Sequence, residues 1–213
     1  MYFQIGPENY RDTAFLSLLE QMAYEPAFDT LRTKEQLGYS VSCGMRNTFD
    51  MLGFCFSVVS SKYAPEYVES RVEAFLASFE RKLSGMYSEV FAQHKKATIE
   101  SLCQQDHTLL DEAERHWDQI AIGRYDFMNR QHLVREIQTV GQTDFVGWYR
   151  DHFASAEGRK VLRVRVFSDQ HLGHRKFKDR VSYQRSELDM TRRSVGVFTK
   201  KRVQLKARNV LRM

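Results

Sequence analysis

Residues 28–40, FDTLRTKEQLGYS, place an arginine, Arg32, and a tyrosine, Tyr39, on either side of a charged turn that ends in Gly38. A guanidinium is permanently charged and has several fixed donors, so it can hold a carbonyl or a carboxylate group. A phenol is a neutral donor that can stabilise an oxyanion without transferring its proton. These residues also have a structural interpretation, in which Arg32 pairs with Glu35 on a helix surface and Tyr39 is a partly buried strand aromatic. The residue types alone favour this second interpretation.

The seven histidines of the sequence do not form a helical zinc motif. Neither the His-Glu-x-x-His nor the His-x-x-Glu-His spacing occurs, so two common ligand sets of zinc peptidases are missing. His171 and His174 have a short spacing, but no third ligand lies near them, and we interpret this spacing as chance. His116, next to Trp117, is interpreted as a packed helical residue rather than a catalytic base. The sequence therefore predicts no metal site in this chain.

Motifs for nucleophilic catalysis and phosphate binding are also missing from the sequence. There is no Gly-x-Ser-x-Gly elbow, and the glycines form neither of the common phosphate-binding loops. Cys43, Cys55 and Cys103 lie in segments that read as strands or helices, where a buried structural thiol is the usual case. The residues considered one motif at a time thus indicate no complete catalytic centre.

Composition indicates a globular protein of a reducing compartment. Aromatic residues make up 13% of the 213 residues, which is enough for a hydrophobic core. Acidic and basic residues are interspersed over most of the length, and the net charge of +5 arises from an excess near the C-terminus. The odd number of cysteines does not indicate a disulfide framework. Because the sequence shows no leader and no apolar run of the ~18 residues that a membrane helix needs, we expect a cytoplasmic protein without membrane contact.

The first part of the chain is predicted to contain a strand, two helical segments and a hairpin. The run MYFQIG is strand-like but has no polar lead-in, which we interpret as an N-terminal truncation. Residues 10–37 are predicted to be helical, with Pro26 resetting the helix and Gly38 ending it. Residues 39–47 and 51–61 are rich in valine, phenylalanine and small residues, which predicts the two strands of a hairpin.

Helices are predicted over most of the middle of the chain. Pro65 opens a helix whose apolar residues form one stripe: Val68, Val72, Phe75, Leu76 and Phe79. Further helices are predicted within residues 88–105, 109–123, 126–140 and 143–153, the last with Thr143 as its N-cap, and a final strand within residues 159–167. Because the strands are separated by helices but include a hairpin, we predict an α+β fold with a mixed or antiparallel sheet covered by several helices.

Residues 169–213 differ in composition from residues 1–168. They are dense in arginine and lysine and lack sustained apolar stripes. We interpret them as a flexible, basic C-terminal extension of a domain that spans residues 1–168. A patch for nucleic acid or an acidic membrane is the weaker interpretation, because short basic runs are weak signals of binding.

The segment around Arg32 closely resembles a known family signature. FDTLRTKEQLGYSV is similar, without gaps, to the segment F-x-x-L-R-T-K-E-Q-L-G-Y-x-V in the C-terminal half of the insulin-degrading enzyme and nardilysin family of M16 zinc metallopeptidases. YVESRVEAFLASFE, HWDQIAIGRYDF and VGWYRDHF continue the resemblance in the family's order, so it spans roughly residues 2–167. RNTFDMLGF and HTLLDEAERHWDQI resemble the nardilysin branch more than the insulin-degrading enzyme branch.

The resemblance implies a fold and an assembly. Members of the family look like four related α+β domains, of the LuxS/MPP-like M16 type, arranged as two bowl-shaped halves around a chamber. Zinc belongs to the first domain, on a His-x-x-Glu-His helix. This sequence resembles the fourth domain, so no cofactor is expected in this chain, and zinc is expected in the missing N-terminal half.

The resemblance also implies roles for Arg32 and Tyr39. In the family, the arginine and tyrosine of the LRTKEQLGY signature reach across the chamber to the substrate at the metal centre. Carried over to this sequence, Arg32 and Tyr39 are expected to bind the peptide substrate, and Tyr39 is in addition an auxiliary catalytic residue that donates to the carbonyl oxygen. Lys34, Glu35 and Gln36 match the signature too, but we assign no mechanistic role to them.

Two functions follow from the resemblance as hypotheses. In the first, the chain is the substrate-binding, zinc-free C-terminal domain of a peptide-degrading metalloendopeptidase, inactive without a partner half that supplies zinc, its ligands and a glutamate base. In the second, it is a catalytically inactive peptide-binding or regulatory protein that docks onto full-length M16 peptidases. Nucleic-acid binding through the basic extension ranks last, because it rests on composition alone.

Overall fold

The centre of the structure is a four-stranded sheet in which the strands have the order β2-β3-β1-β4. It is a computed structural model that describes residues 1–155 and 158–167. The strands are β1 (Tyr2–Pro7), β2 (Ser40–Thr48), β3 (Met51–Val59) and β4 (Lys160–Leu162). All neighbouring strands pair antiparallel, and β1 lies between β3 and β4. The predicted hairpin is confirmed, with β2 and β3 joined at Thr48 and Met51 by a two-residue turn.

Helices account for most of the remaining described residues. They are α1 (Tyr10–Ala27), α2 (Pro65–Ser84), α3 (Ser88–Leu102), α4 (Leu109–Ala121), α5 (Asn129–Thr139) and α6 (Gln142–Tyr149). Two π-helical segments, Phe28–Lys34 and Arg150–Ala154, continue α1 and α6 respectively. The helices and the antiparallel sheet confirm the predicted α+β fold.

Local sequence explains where several helices begin. The side chain of Asn9 accepts a hydrogen bond from the backbone N–H of Asp12 at the start of α1. Thr108 and Asp111 form a reciprocal capping box at the start of α4. Pro65 occupies the first turn of α2, where its missing N–H costs no hydrogen bond.

Two predicted features of the helices are wrong. Pro26 does not divide the first helix, because it lies inside α1, which runs to Ala27. Proline has no N–H and therefore cannot donate the i→i−4 hydrogen bond of an α-helix. The helix does not break here but continues from Phe28 with the wider winding of a π-helix. Thr143 is not an N-cap, because α6 begins at Gln142 and Gly141 occupies the capping position.

The last strand is shorter than predicted. Strand β4 ends at Leu162, whereas the alternating pattern extends to residue 167. The arginines of this pattern turn toward α2, where Arg163 pairs with Glu73 at 3.0 Å and Arg165 pairs with Glu69 at 2.6 Å. These ion pairs direct the segment toward the helix rather than along β1.

One face of the sheet is buried against the helices. Burial alternates along β1, where Phe3 and Ile5 are buried while Tyr2 and Gln4 are half-buried. The apolar residues predicted to share a stripe on α2 are buried, except for Val68, which is half-buried. Aromatic side chains dominate the resulting core, which includes Phe3, Phe54, Phe56, Phe75, Phe79, Phe145, Trp148, Tyr149 and Phe153.

The basic extension predicted at residues 169–213 lies outside the described residues, and so do His171 and His174. Among the helices that the structure does describe, none combines the length and the apolar character required to cross a lipid bilayer.

Candidate functional site

The turn between α1 and β2 is held by main-chain hydrogen bonds and by buried leucines. Glu35 N–H donates to Thr30 O at 2.9 Å, which closes the π-helical segment, and Leu37 N–H donates to Leu31 O at 3.0 Å. Leu31 and Leu37 are both fully buried. The helical segment therefore ends at Lys34, whereas the sequence predicted that it would end at Gly38. The residues that follow Lys34 form an anchored turn.

Gly38 allows this turn to approach the end of β3. A Cβ atom built at residue 38 would lie 2.0 Å from the carbonyl oxygen of Val59 and 2.7 Å from its carbonyl carbon. Both contacts are with main-chain atoms, which cannot rotate away as a side chain can. Packing therefore requires glycine at this position, and the close contact fixes the position of the next residue, Tyr39, just before β2.

We expect Gly38→Ala to lower the free energy of unfolding by about 1–3 kcal/mol, because the added methyl group must displace the β3 backbone. Gly147→Ala is the matched control, since a Cβ there meets nothing within 4 Å and alanine is favoured over glycine inside a helix. Urea unfolding followed by circular dichroism measures both changes. Equal stability of the two variants would contradict the close approach at Val59.

Arg32 and Tyr39 lie next to each other on an open surface. The Nε of Arg32 donates to the main-chain carbonyl of Tyr39 at 3.1 Å, and its guanidinium lies 4.9 Å from the ring centroid of Phe28. These contacts orient the guanidinium, while its terminal nitrogens make no hydrogen bond to the described residues. The Tyr39 side chain is 76% exposed. Two donors of different kinds are thus presented together to solvent.

The structural interpretation of these residues is wrong on both points. Glu35 binds Arg71 of α2 through two hydrogen bonds of 2.7 and 2.6 Å, rather than Arg32. In π-helical winding the turn is wider than in an α-helix, so residues three apart no longer lie above one another. Tyr39 precedes β2, which begins at Ser40, and its side chain is exposed rather than partly buried. The functional roles of Arg32 and Tyr39 stay predictions.

The three cysteines differ in burial, and Cys43 is not suited to act as a nucleophile. Cys43 is buried, and burial, with a smaller contribution from Glu20, raises the pKa of its thiol to about 12. A thiol with that pKa is protonated at neutral pH and is therefore inert. Cys55 is half-buried and Cys103 is exposed at the end of α3, so the prediction of burial is wrong for Cys103.

Two of the described histidines, His116 and His132, contact neighbouring side chains. The ring of His116 lies 5.4 Å from that of Phe127, in an edge-to-face arrangement. His132 Nδ1 lies 3.1 Å from a carboxylate oxygen of Asp126 and 3.3 Å from the hydroxyl of Tyr10, a contact that sequence spacing did not predict. Within residues 1–155 and 158–167, no group of three potential ligands from histidine, cysteine, aspartate and glutamate could hold a metal ion.

Glu20 is a half-buried acidic group that the sequence analysis missed. It lies on α1, and its carboxylate lies beside Gly44 of β2. Burial raises the pKa of its carboxyl group, and the main chain of Met45 opposes that change. Nothing in the helical pattern distinguishes this glutamate from a surface residue, because its partner is 25 residues away in the sequence.

An open depression of about 600 Å³ lies between α3 and the start of α6. Its lining includes Phe91, Ile99 and Val140, together with Lys95, whose ammonium group donates to the carbonyls of Gln138 and Val140. Neither Arg32 nor Tyr39 lines it. The two predicted site residues therefore lie on an open surface outside this depression.

Comparison with known proteins gives matches over most of the described residues. The family model "PQQ synthase PqqF-like, C-terminal lobe domain 4" matches residues 18–117. A nardilysin-like protein of Arabidopsis thaliana is 37% identical over 171 residues, and human insulin-degrading enzyme is 34% identical over 169 residues. These alignments cover 78% and 79% of this chain but only 17% and 16% of the two relatives. The chain thus spans about a sixth of the length of the relatives that it matches.

The fold gives the same assignment as the sequence. The crystal structure of pitrilysin matches with a TM-score of 0.63 and 27% sequence identity, over 70% of this chain and 16% of that one. The family model describes a C-terminal lobe domain, and the residues 18–117 that it matches contain both Arg32 and Tyr39. From sequence and fold together, this chain belongs to the M16 peptidase family, as a domain of the C-terminal kind found in nardilysin and insulin-degrading enzyme.

Proposed function

We propose that this chain is the substrate-binding, zinc-free C-terminal domain of an M16 metalloendopeptidase that degrades peptides. The observation that carries the proposal is the pairing of Arg32 with Tyr39. The side chain of Arg32 donates a 3.1 Å hydrogen bond to the main-chain carbonyl of Tyr39, at an anchored turn inside the segment that matches the family.

The two side chains have complementary chemistry for a peptide. The guanidinium of Arg32 can hold a carbonyl or carboxylate of the substrate in register, because its donors are fixed in a plane and its charge is permanent. The phenol of Tyr39 can donate to the carbonyl oxygen that becomes negative during hydrolysis, and that interaction strengthens as the charge develops. Both groups act without changing their protonation state.

The described residues do not fit a zinc site, since they include no set of three ligands for a metal ion. In this proposal, zinc, its ligands and the glutamate base belong to a separate N-terminal half. That half, or a full-length M16 peptidase, is the protein partner. The three cysteines are free thiols, which is compatible with a reducing, cytoplasmic location, and that location is part of the proposal.

An exposed apolar surface on and after α4 supports a protein partner. Leu110, in the first turn of α4, is 65% exposed, and Trp117, in the second half of the helix, is 64% exposed. The apolar side chains of this surface, all exposed, are Leu109, Leu110, Trp117, Ile120, Ile122, Tyr125, Phe127 and Met128. A group of exposed apolar side chains close together in the sequence is compatible with a contact between proteins. We therefore assign this surface to the contact with the rest of the peptidase.

Peptide binding by the full 213-residue chain tests the proposal. We use fluorescein-labelled, carboxymethylated insulin B chain, since one of the relatives is named for insulin. Arg32→Ala should weaken binding by about 10- to 100-fold, because it removes a charge-assisted hydrogen bond. Tyr39→Phe should weaken binding by less than about tenfold, because it removes one neutral donor. Fluorescence anisotropy measures both affinities.

The controls are two exposed residues far from the turn in sequence. Tyr87 is 76% exposed, as is Tyr39, so Tyr87→Phe removes an equally accessible hydroxyl. Arg81, an exposed residue of α2, provides the charge control as Arg81→Ala. Both variants should bind like the unchanged chain. No binding by the unchanged chain, or equal affinities for Arg32→Ala and Arg81→Ala, would overturn the proposal.

A further inference from the structure

Strand β2 forms one edge of the sheet, and among the described residues it pairs only with β3. The direction of its main-chain groups follows from the neighbouring ladder. Met1 donates to Phe56 O at 2.8 Å and accepts from Phe56 N–H at 2.8 Å, so the main chain of Phe56 faces β1. Main-chain groups alternate in direction along an antiparallel strand, so Cys55 and Ser57 face β2 instead.

The strand register then assigns the two sides of β2. Ser42 pairs with Ser57 and Gly44 pairs with Cys55, so the main chains of Ser42 and Gly44 bond to β3. Val41 and Cys43 alternate with them and direct their N–H and C=O groups away from the sheet. Their side chains, by contrast, are buried in the core. The outer edge of β2 is therefore a row of main-chain donors and acceptors.

Two side chains close the ends of this row. Arg32 donates to the carbonyl of Tyr39 at 3.1 Å, and the carboxylate of Glu20 lies beside Gly44, next to the main chain of Met45. The main-chain N–H and C=O groups of Tyr39 and Met45 point to the same side as those of Val41 and Cys43, because the positions of all four residues differ by even numbers. The outward groups of Val41 and Cys43 lie between these two closed positions.

The solvent-facing side of β2 offers little steric hindrance next to this row. Its exposed side chains there belong to Ser40 and Ser42, which are small, whereas the carboxylate of Glu20 lies over Gly44. A strand that approached the edge could therefore carry large side chains beside Ser40 and Ser42. Proteins commonly protect edge strands with charges or proline, and between Tyr39 and Met45 β2 has neither.

We propose that the β2 edge between Tyr39 and Met45 binds an extended peptide as an additional strand, hydrogen-bonded to the main chain of Val41 and Cys43. The inference rests on the proposed function, because Tyr39 is the residue assigned to the peptide carbonyl and Val41 lies only two residues beyond it. Strand addition recognises the peptide main chain. It therefore gives the domain a means to hold peptides of varied sequence in the extended form.

The length of the free edge favours a peptide over a second copy of this chain. Two outward residues, Val41 and Cys43, separate the positions that Arg32 and Glu20 occupy. A pairing of about five residues buries far less surface than the roughly 1,200–2,000 Å² that a stable protein–protein interface buries. A short peptide needs no larger contact, and it is also held by the side chains of Arg32 and Tyr39.

Amide hydrogen exchange of the full chain, measured by NMR, tests the inference. Without peptide, the amides of Ser42 and Gly44 should be protected, whereas those of Val41 and Cys43 should exchange rapidly. Carboxymethylated insulin B chain, added until nine-tenths of the chain is bound, should slow exchange at Val41 and Cys43 by about tenfold. Exchange at Ser42 and Gly44 should not change.

The possible outcomes separate this inference from the proposed function. Peptide binding without slower exchange at Val41 and Cys43 overturns the strand addition and leaves the proposed function in place. Absence of binding overturns both. Protection of Val41 and Cys43 before peptide is added also overturns the inference: it indicates a second copy if it rises with chain concentration, and another segment of the same chain if it does not.

Modified peptides provide a second measurement that leaves the protein unchanged. Single N-methyl groups, placed along the shortest B-chain fragment that still binds, remove one amide donor at a time. Because only alternate amides of an added strand face β2, the affinity should fall at every second position. Equal losses at neighbouring positions, or no loss at any position, would overturn the inference.

Discussion

Tyr39→Phe should lower kcat of the assembled peptidase by about 10²–10³, which is the usual cost of removing one donor to a developing oxyanion. The assembly is the 213-residue chain combined with a zinc-bearing N-terminal half of an M16 peptidase. The measurement is steady-state hydrolysis of a fluorogenic peptide, with kcat and KM determined separately. KM should change far less than kcat, because the hydrogen bond strengthens mainly in the transition state.

The position of Tyr39 makes this effect specific. Its side chain is 76% exposed and lies one residue after Gly38, whose contact with Val59 fixes the turn. Removal of an exposed hydroxyl leaves the fold unchanged, so a lower kcat reports on the reaction rather than on stability. Arg32→Ala should act differently and raise KM, because the guanidinium holds the substrate in both the ground state and the transition state.

Tyr87→Phe is again the matched control and should leave both constants unchanged, since its hydroxyl is equally exposed but lies at the start of α3. Equal values of kcat for Tyr39→Phe and Tyr87→Phe would remove Tyr39 from the catalytic assignment. A loss of activity in which kcat stays constant and only KM rises would reassign Tyr39 to substrate binding alone.

The sequence predicts most elements of the fold because their signals are local. The stripe through Val72, Phe75 and Phe79 and the proline at residue 65 define α2 without reference to the rest of the chain. The hairpin is equally local, because β2 and β3 pair across a two-residue turn. The features that the sequence did not predict depend on contacts between distant residues, such as the pairing of Glu35 with Arg71.

The candidate site shows the same division. The segment that carries Arg32 and Tyr39 could be identified from the sequence, since its resemblance to the family is continuous. The hydrogen bond from Arg32 to the Tyr39 carbonyl could not be predicted, because it depends on π-helical winding after Pro26. The outward direction of Val41 and Cys43 depends on strand register, which is set by pairing with β3.

Phe153→Ala should lower the free energy of unfolding by about 3–5 kcal/mol, the range found when a buried phenylalanine is truncated and a cavity remains. Phe153 is 1% exposed and lies in the π-helical segment after α6. Its ring centroid is 5.0 Å from that of Phe3, 6.0 Å from that of Phe54 and 5.0 Å from that of Tyr149. It thus joins β1 and β3 to the helices, and its truncation would leave a cavity lined by these three rings. Urea unfolding of the full chain measures the change.

Phe127→Ala removes the same side chain from a position that is 41% exposed, and it should cost less than about 1.5 kcal/mol, because little apolar surface returns to water. Comparing the two variants separates the loss of a buried aromatic cluster from the loss of one phenyl ring. Similar stabilities would contradict the packing of Phe153 between the sheet and α6. A large loss of stability for Phe153→Ala alone would mean that the buried face of the sheet depends on its packing against the π-helical segment after α6. The opposite edge of the sheet carries Tyr39 and the outward main-chain groups of β2, and these groups can serve binding while the side chains of Val41 and Cys43 stay in the core.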